Sequence, residues 1–224
     1  MPKIRQNKSE EGCWEDRLLS EYERMERREK VHVSDLILCL LQTRLKDDYE
    51  SAWDVTTLLR FTLGRALEKV VFKILLPFAT QELEVEEEGI VGHIDFGSTP
   101  YDYECKLTSS FEPKEPEDLL DSKFWWFEQM KSYAVMRRRT EMRLVVLFLL
   151  PVPSLRCYDV IFDVEELGDA WQVMQARKEY LLELRERDEL PDPTIFGWIC
   201  GMCQVKYVCP KFKSKRGGEK SRGV

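Results

Sequence analysis

The chain reads as an α/β domain, a mixed central sheet flanked by helices, and three observations predict it. Stretches with helical spacing come first. A block of short two-residue-period strands follows over 81–107, and a helix, two strands and a helix close the order. The run Leu144 to Val152 is apolar, strand length and ends near prolines, the pattern of a central strand covered on both faces.

In chain order, residues 1–9 read as disordered. Residues 10–30 are charged, with Trp14, Leu18, Leu19, Tyr22 and Met25 at helical spacing. Ser34 is the expected N-cap of a helix through Leu36, Ile37, Leu40 and Leu41 that carries Cys39. A longer helix spans 55–76, its apolar face formed by Leu58, Leu59, Phe61, Leu63, Leu67, Val70, Val71 and Ile74. Gly64 within it implies close packing, and Glu68 one turn on shares its face. A proline-containing loop over 108–116 leads to a helix from Pro116 to Arg139, with Leu119, Leu120, Phe124, Phe127, Met130 and Val135 as its core side. Strands over 143–152 and 156–163 follow, then a helix over 164–189 broken by Pro191 and Pro193. The implied organisation is a charged helical extension over 1–30, a core over 31–193, a cysteine segment over 194–210 and a disordered basic tail over 211–224.

Among 224 residues, 43% are hydrophobic, enough for one large core. No apolar run reaches the roughly 18 residues of a membrane span, and the first residues lack an apolar leader, so a cytoplasmic protein is expected. A net charge of −7 argues against nonspecific coating of nucleic acid but permits a local basic groove. Arg137, Arg138 and Arg139 form one basic run, either part of such a groove or plain solvated surface. Seven cysteines in a reducing compartment point to metal ligation over disulfides.

The densest chemistry lies in VGHIDFGSTPYDYECK, residues 91–106. It reads as a hairpin turning at Gly97 to Pro100. Side chains alternate across a strand, so Glu104 and Lys106 share one face and Cys105 takes the other. Asp95 near the end of the first strand can converge with Glu104. Two such carboxylates repel and titrate upward unless a hard divalent cation joins them. Lys106 then lies over the ion, placed to orient or deprotonate a water for phosphodiester hydrolysis. The plainer reading is a solvated cross-strand ion pair worth ~0.2–1 kcal/mol. His93, on the same face as Asp95, reads as structural.

Cys200, Cys203 and Cys209 form C-x2-C-x5-C before Pro210. Three thiolates so spaced need a fourth from elsewhere. The remaining thiols are Cys13, Cys39, Cys105 and Cys157; Cys13 precedes the ordered region, Cys105 faces the core, and Cys39, on a capped helix near the start of the domain, is taken as the fourth. An iron–sulfur cluster suits three-plus-one cysteines, with zinc or plain buried thiols as alternatives. Such a cluster reads as a structural clasp without a redox task.

Gln129 and Tyr133 stand one helical turn apart and present uncharged polar tips that can meet phosphate or base. Trp125 and Trp126 precede them, either as stacking platforms or as core.

In order along the chain, G-x-x-x-E (Gly64, Glu68), G-H-I-D (ending at Asp95), E-C-K (Glu104, Lys106), Q-x-x-x-Y (Gln129, Tyr133) and one cysteine upstream of three resemble the RecB-like branch of the PD-(D/E)-x-K nucleases. The enclosing cysteines are similar to the CRISPR-associated Cas-four proteins in particular, over residues 31–210. The resemblance implies a restriction-endonuclease-like nuclease core closed by a cysteine-bound iron–sulfur subdomain, 4Fe–4S before 2Fe–2S. It implies Mg2+ or Mn2+ on Glu68, Asp95 and Glu104, catalysis by Asp95, Glu104 and Lys106, and Gln129 and Tyr133 as active-site or substrate contacts. Many relatives carry histidine where this chain has Glu68, and a glutamate suits hard cations better.

The function so implied is a metal-dependent DNA nuclease that trims spacer precursors with the CRISPR integrase complex; an exonuclease mainly on single strands is expected, because a clasped, narrow groove with stacking aromatics takes unpaired bases. The alternatives are a non-catalytic iron–sulfur module binding DNA ends or a partner protein, and a RecB-like nuclease of DNA repair or of a virus.

Overall fold

The computed structural model describes Asp16, residues 30–193 and residues 197–212. The expected helix over 10–30, Cys13 and the tail beyond residue 212 fall outside the described residues. One sheet runs through β1 (Val31–His32), β2 (Thr80–Glu87), β3 (Ile90–Gly97), β4 (Tyr103–Phe111), β5 (Glu141–Leu150) and β6 (Ser154–Ile161). Its order is β1-β3-β4-β5-β6, with β2 paired to β3. The sheet is mixed, as expected: β4 and β5 run parallel, and β5 and β6 antiparallel. β5 is the covered central strand that its apolar run implies. Leu144, Val146 and Phe148 are fully buried on one face and Val145 is buried on the other.

The helices are α1 (Val33–Ile37), α2 (Leu40–Asp48), α3 (Val55–Leu67), α4 (Asp118–Ser122), α5 (Phe124–Met136), α6 (Val164–Arg187) and α7 (Gly197–Gly201). The larger core lies between the sheet and α1, α5 and α6, where Leu36, Met130 and Leu181 meet Ile90, Ile94 and Leu144. A smaller one on the opposite face joins Phe72 and Leu76 to Phe96, Tyr103, Cys105 and Val145. No described helix is long and apolar enough to cross a membrane.

Several expectations need correction. The helix expected to start at Ser34 is two helices. His32 caps α1, its N–H held by the Asp35 carboxylate at 3.0 Å, and Cys39 caps α2. The break persists because Arg177 of α6 donates to the carbonyls of Leu36 and Leu38, which a continuous helix would need for itself. The helix over 55–76 is not one α-helix either. A π-helical turn, Glu68–Phe72, follows α3, and one α-turn, Lys73–Leu75, ends it. Leu58 and Phe72 are buried, but Leu59, Phe61, Leu63, Val70 and Ile74 are exposed. Gly64 marks no close approach, since a Cβ there would meet nothing within 4 Å. The helix expected from Pro116 breaks at Lys123, and Leu120 faces solvent.

The hairpin is also looser than alternation suggests. β2 lines one edge of β3 throughout. On the other edge β1 pairs at Ile90 and Val91, and β4 pairs only through Tyr103 opposite Phe96. The two strands therefore part just where Asp95 and Glu104 lie.

The turn between them is held by charge. Asp102 is fully buried, accepting from Ser98 N–H at 3.0 Å and from Arg137 Nε at 2.9 Å, with Arg139 Nε at 3.3 Å. Arg139 also donates to the Ser98 carbonyl at 2.8 Å and to that of Pro100. Arg137 and Arg139 are thus structural cations, not the solvated surface that their run suggests. Removing the acid strands two guanidiniums beside a loosened turn. Asp102→Ala is expected to cost about 3 kcal/mol, read as a lower urea midpoint; a midpoint equal to wild type would contradict this role.

Candidate active site

Glu104 projects from β4 toward α5, between the buried Tyr103 and Cys105 that turn to the smaller core. Its side chain is fully buried. One oxygen accepts from the Lys106 ammonium, two residues along the same face. The other, Oε2, has no hydrogen-bond partner. A buried carboxylate oxygen left alone is costly. Lys106 Nζ also donates to Gln129 Oε1 at 3.1 Å, and Gln129 Nε2 donates to the Tyr133 hydroxyl at 2.8 Å.

Asp95 reaches across the gap between β3 and β4 and accepts from the Cys105 N–H at 2.7 Å. A side chain takes the hydrogen bond that a paired strand would have made. Glu68 comes from the far side, at the start of the π-helical turn, and is half-buried.

The charges confirm that these groups share one environment. Burial first and Asp95 second lift Glu104 to about 8, and the same two causes lift Glu68 to about 7. Asp95 is raised by burial, against the pull of Lys106 and the Cys105 N–H. The upward titration expected from mutual repulsion is present, but burial is its larger cause. Burial opposes the Lys106 charge, yet Glu104 and Asp95 outweigh it and hold its pKa above the usual lysine value. Lys106 is therefore a lasting ammonium, suited to orienting a water or steadying negative charge rather than to taking a proton.

Sequence reasoning missed Glu82. It lies on β2 in the left-handed region at φ 53°, and its charge raises both Asp95 and Glu68. The only available signal was the alternation Glu82, Glu84, Glu86, which reads as a solvated strand face. His93 turns to other partners. Its Nε2 lies 3.3 Å from Glu84 and its ring stacks on His32 at 5.4 Å.

Tyr133 is buried beneath the site, not at a surface where a substrate could touch it. Its hydroxyl bonds the His93 backbone and Gln129. Its ring rests on β3 at Gly92, where an added Cβ would stand 2.6 Å from the ring. Glycine is required at this close approach. Trp126 is core, and Trp125 packs against that core and edge-on to its neighbours, so neither is a free stacking platform.

The cysteines gather in part. Cys39, Cys203 and Cys209 pack in one apolar cluster with Leu41, Leu45 and Val205. Cys203 N–H approaches the Cys200 carbonyl at 3.5 Å. The segment is tied back by Ala52 N–H to the Gln204 carbonyl at 2.9 Å and by the Tyr207 hydroxyl to the Glu50 carbonyl at 2.8 Å. Cys105 is buried core and Cys157 lies exposed on β6. Among the described residues, no three His, Cys, Asp or Glu side chains stand close enough to hold a metal ion as they are. The cation that the carboxylates face is Lys106.

The lone Glu104 oxygen and the raised carboxyls have the chemistry of hard-cation ligands, but Glu68, Asp95 and Glu104 would have to draw closer together to share one ion. A carboxyl with a raised folded pKa holds its proton more tightly when folded. Its contribution to stability therefore falls as pH rises from its unfolded value near 4.5 to about 8. A cation competes with those protons and binds better over the same interval. In chelator the melting temperature should fall toward about pH 8, and Mn2+ should raise it more there than near pH 6. An equal rise at both would remove these acids from the binding site.

No protein-family model matches the sequence, and no curated protein matches it. Solved structures share its fold. The crystal structure of SSO0001 superposes with a TM-score of 0.61 at 18% identity, covering 89% of this chain and 95% of that one. A phage-related exonuclease from Haemophilus somnus 129PT gives 0.52 at 12% identity, over 67% of this chain and 81% of that one. A candidate exonuclease from Eubacterium rectale gives 0.52 at 12%, over 99% and 100%. At these identities the likeness is one of fold.

Proposed function

We propose that this chain is a divalent-metal-dependent DNA exonuclease that trims spacer precursors in CRISPR adaptation. The observation that carries the hydrolase reading is Glu104, a fully buried carboxylate with one oxygen on an ammonium and the other without a partner. Two fold relatives named for exonuclease activity support the direction. The CRISPR setting and the integrase partner rest on the motif resemblance, and the preference for single strands on a narrow clasped groove with stacking aromatics. The tryptophans that favoured single strands are packed away.

Glu68, Asp95 and Glu104 would hold Mg2+ or Mn2+, which would polarise the phosphoryl oxygen and make water acidic enough to attack. Lys106 supplies fixed positive charge beside the phosphate, where negative charge grows in the transition state. Gln129 holds the ammonium in place from one side and Tyr133 holds Gln129. The cysteines would hold an iron–sulfur cluster through Cys39, Cys200, Cys203 and Cys209. The packing of three of them in one apolar cluster supports that set. The cluster's role is to tie the C-terminal segment to α2.

With Mn2+ and an end-labelled single-stranded oligonucleotide, wild type should shorten the label. Lys106→Ala and Glu104→Gln should each lower the rate by ~10²-fold or more. A wild type that shifts the oligonucleotide without shortening it is instead a binding module. Protein purified without oxygen should absorb visible light and contain iron and sulfide, both lost in Cys39→Ala. Colourless, zinc-loaded protein would overturn the cluster.

A further inference from the structure

The helical stretch from Val55 to Leu75 has an unexplained outer face. It carries four cations, Arg60, Arg65, Lys69 and Lys73, and all are exposed. Its one acid, Glu68, turns inward to the site. This is a strong local excess in a chain of net charge −7. Between the cations stand Phe61 at 46% exposure, Leu63 at 53%, Val70 at 59% and Ile74 at 73%. A helix normally buries such residues, and a patch of this kind marks an interaction surface.

The geometry points to this face as the track along which a single-stranded nucleic acid enters the site, a conclusion that rests on the nuclease reading. Charge decides the occupant. A polyanion matches a row of cations, and unpaired bases offer flat apolar faces to the side chains between them. Lys69 and Lys73 lie one turn apart and take phosphates. Phe61, held edge-on against the Trp53 ring at 5.4 Å and on the Glu68 side of the helix, supports a base where the track meets the site. Arg65 lies close enough to Glu68 for its charge to act on that carboxyl, so the row of cations reaches the edge of the site. The π-helical turn lets one short segment present Glu68 and Phe72 inward while Lys69, Val70, Lys73 and Ile74 face out.

The test uses the full chain and a fluorescein-labelled single-stranded oligonucleotide, with Ca2+ replacing Mg2+ and anisotropy read across a salt series. Lys69→Gln/Lys73→Gln should weaken binding. It should also flatten the slope of log affinity against log salt by about 1.4, or roughly 0.7 per phosphate contact. With Mg2+ its KM should rise and its kcat stay within ~2-fold, because neither lysine touches the reacting atoms. Phe61→Ala should weaken binding by about 5-fold or more with the slope unchanged. Variants that melt like wild type but keep its slope and KM overturn the track and leave the nuclease reading standing. A wild type that neither binds nor cuts overturns both. A dimer that Phe61→Ala splits, with the salt slope unmoved, assigns the face to a second copy of the chain and overturns the track.

Discussion

The structure depends on one unequal arrangement: a carboxylate sealed inside the protein with a single ammonium to answer it. Glu104 is inaccessible to solvent, and Lys106 satisfies only one of its oxygens. Asp95 and Glu68 add negative charge from two other elements. A fold optimised only for stability would replace such a group with an apolar one. Its place, at the junction of β3, β4, α5 and the π-helical turn, is what the proposed hydrolase reading accounts for.

The surroundings follow from keeping that arrangement in register. β3 and β4 stay together at Phe96 and Tyr103 and then separate, which opens room for two acids. Asp102 and its two arginines keep the separation from spreading into the turn. On the other side, α5 must come close enough for Gln129 to reach Lys106. Gly92 permits this by leaving room for the Tyr133 ring. Each support lies outside the Glu104–Lys106 pair and acts by fixing where that pair can point.

The exposed helix from Val55 to Leu75 serves two purposes with one short segment. Its inner side brings an acid to the site and Phe72 to the smaller core. Its outer side is cationic and apolar at once, although Phe61 meets the Trp53 ring edge-on and Arg60 reaches Met202 Sδ at 3.2 Å. The helix was expected to bury its apolar residues. That most of them face out shows that apolar spacing alone does not distinguish a buried face from an exposed one.

Local pattern in the sequence determined the strands, the buried middle strand and the shared face of Glu104 and Lys106, because side-chain alternation and apolar runs are properties of neighbouring residues. It also placed Gln129 and Tyr133 one turn apart. It could not place the break at Cys39, because Arg177, which stabilises it, arrives from α6, far along the chain. Nor could it show that Arg137 and Arg139 serve Asp102, or that the charge of Glu82 reaches Asp95. Those are long-range pairings, and only the packed chain decides whether a charge is spent on a partner, on solvent or on the site. The sequence alone determined which residues could do chemistry. Tertiary structure decided which of them are buried enough for it to matter.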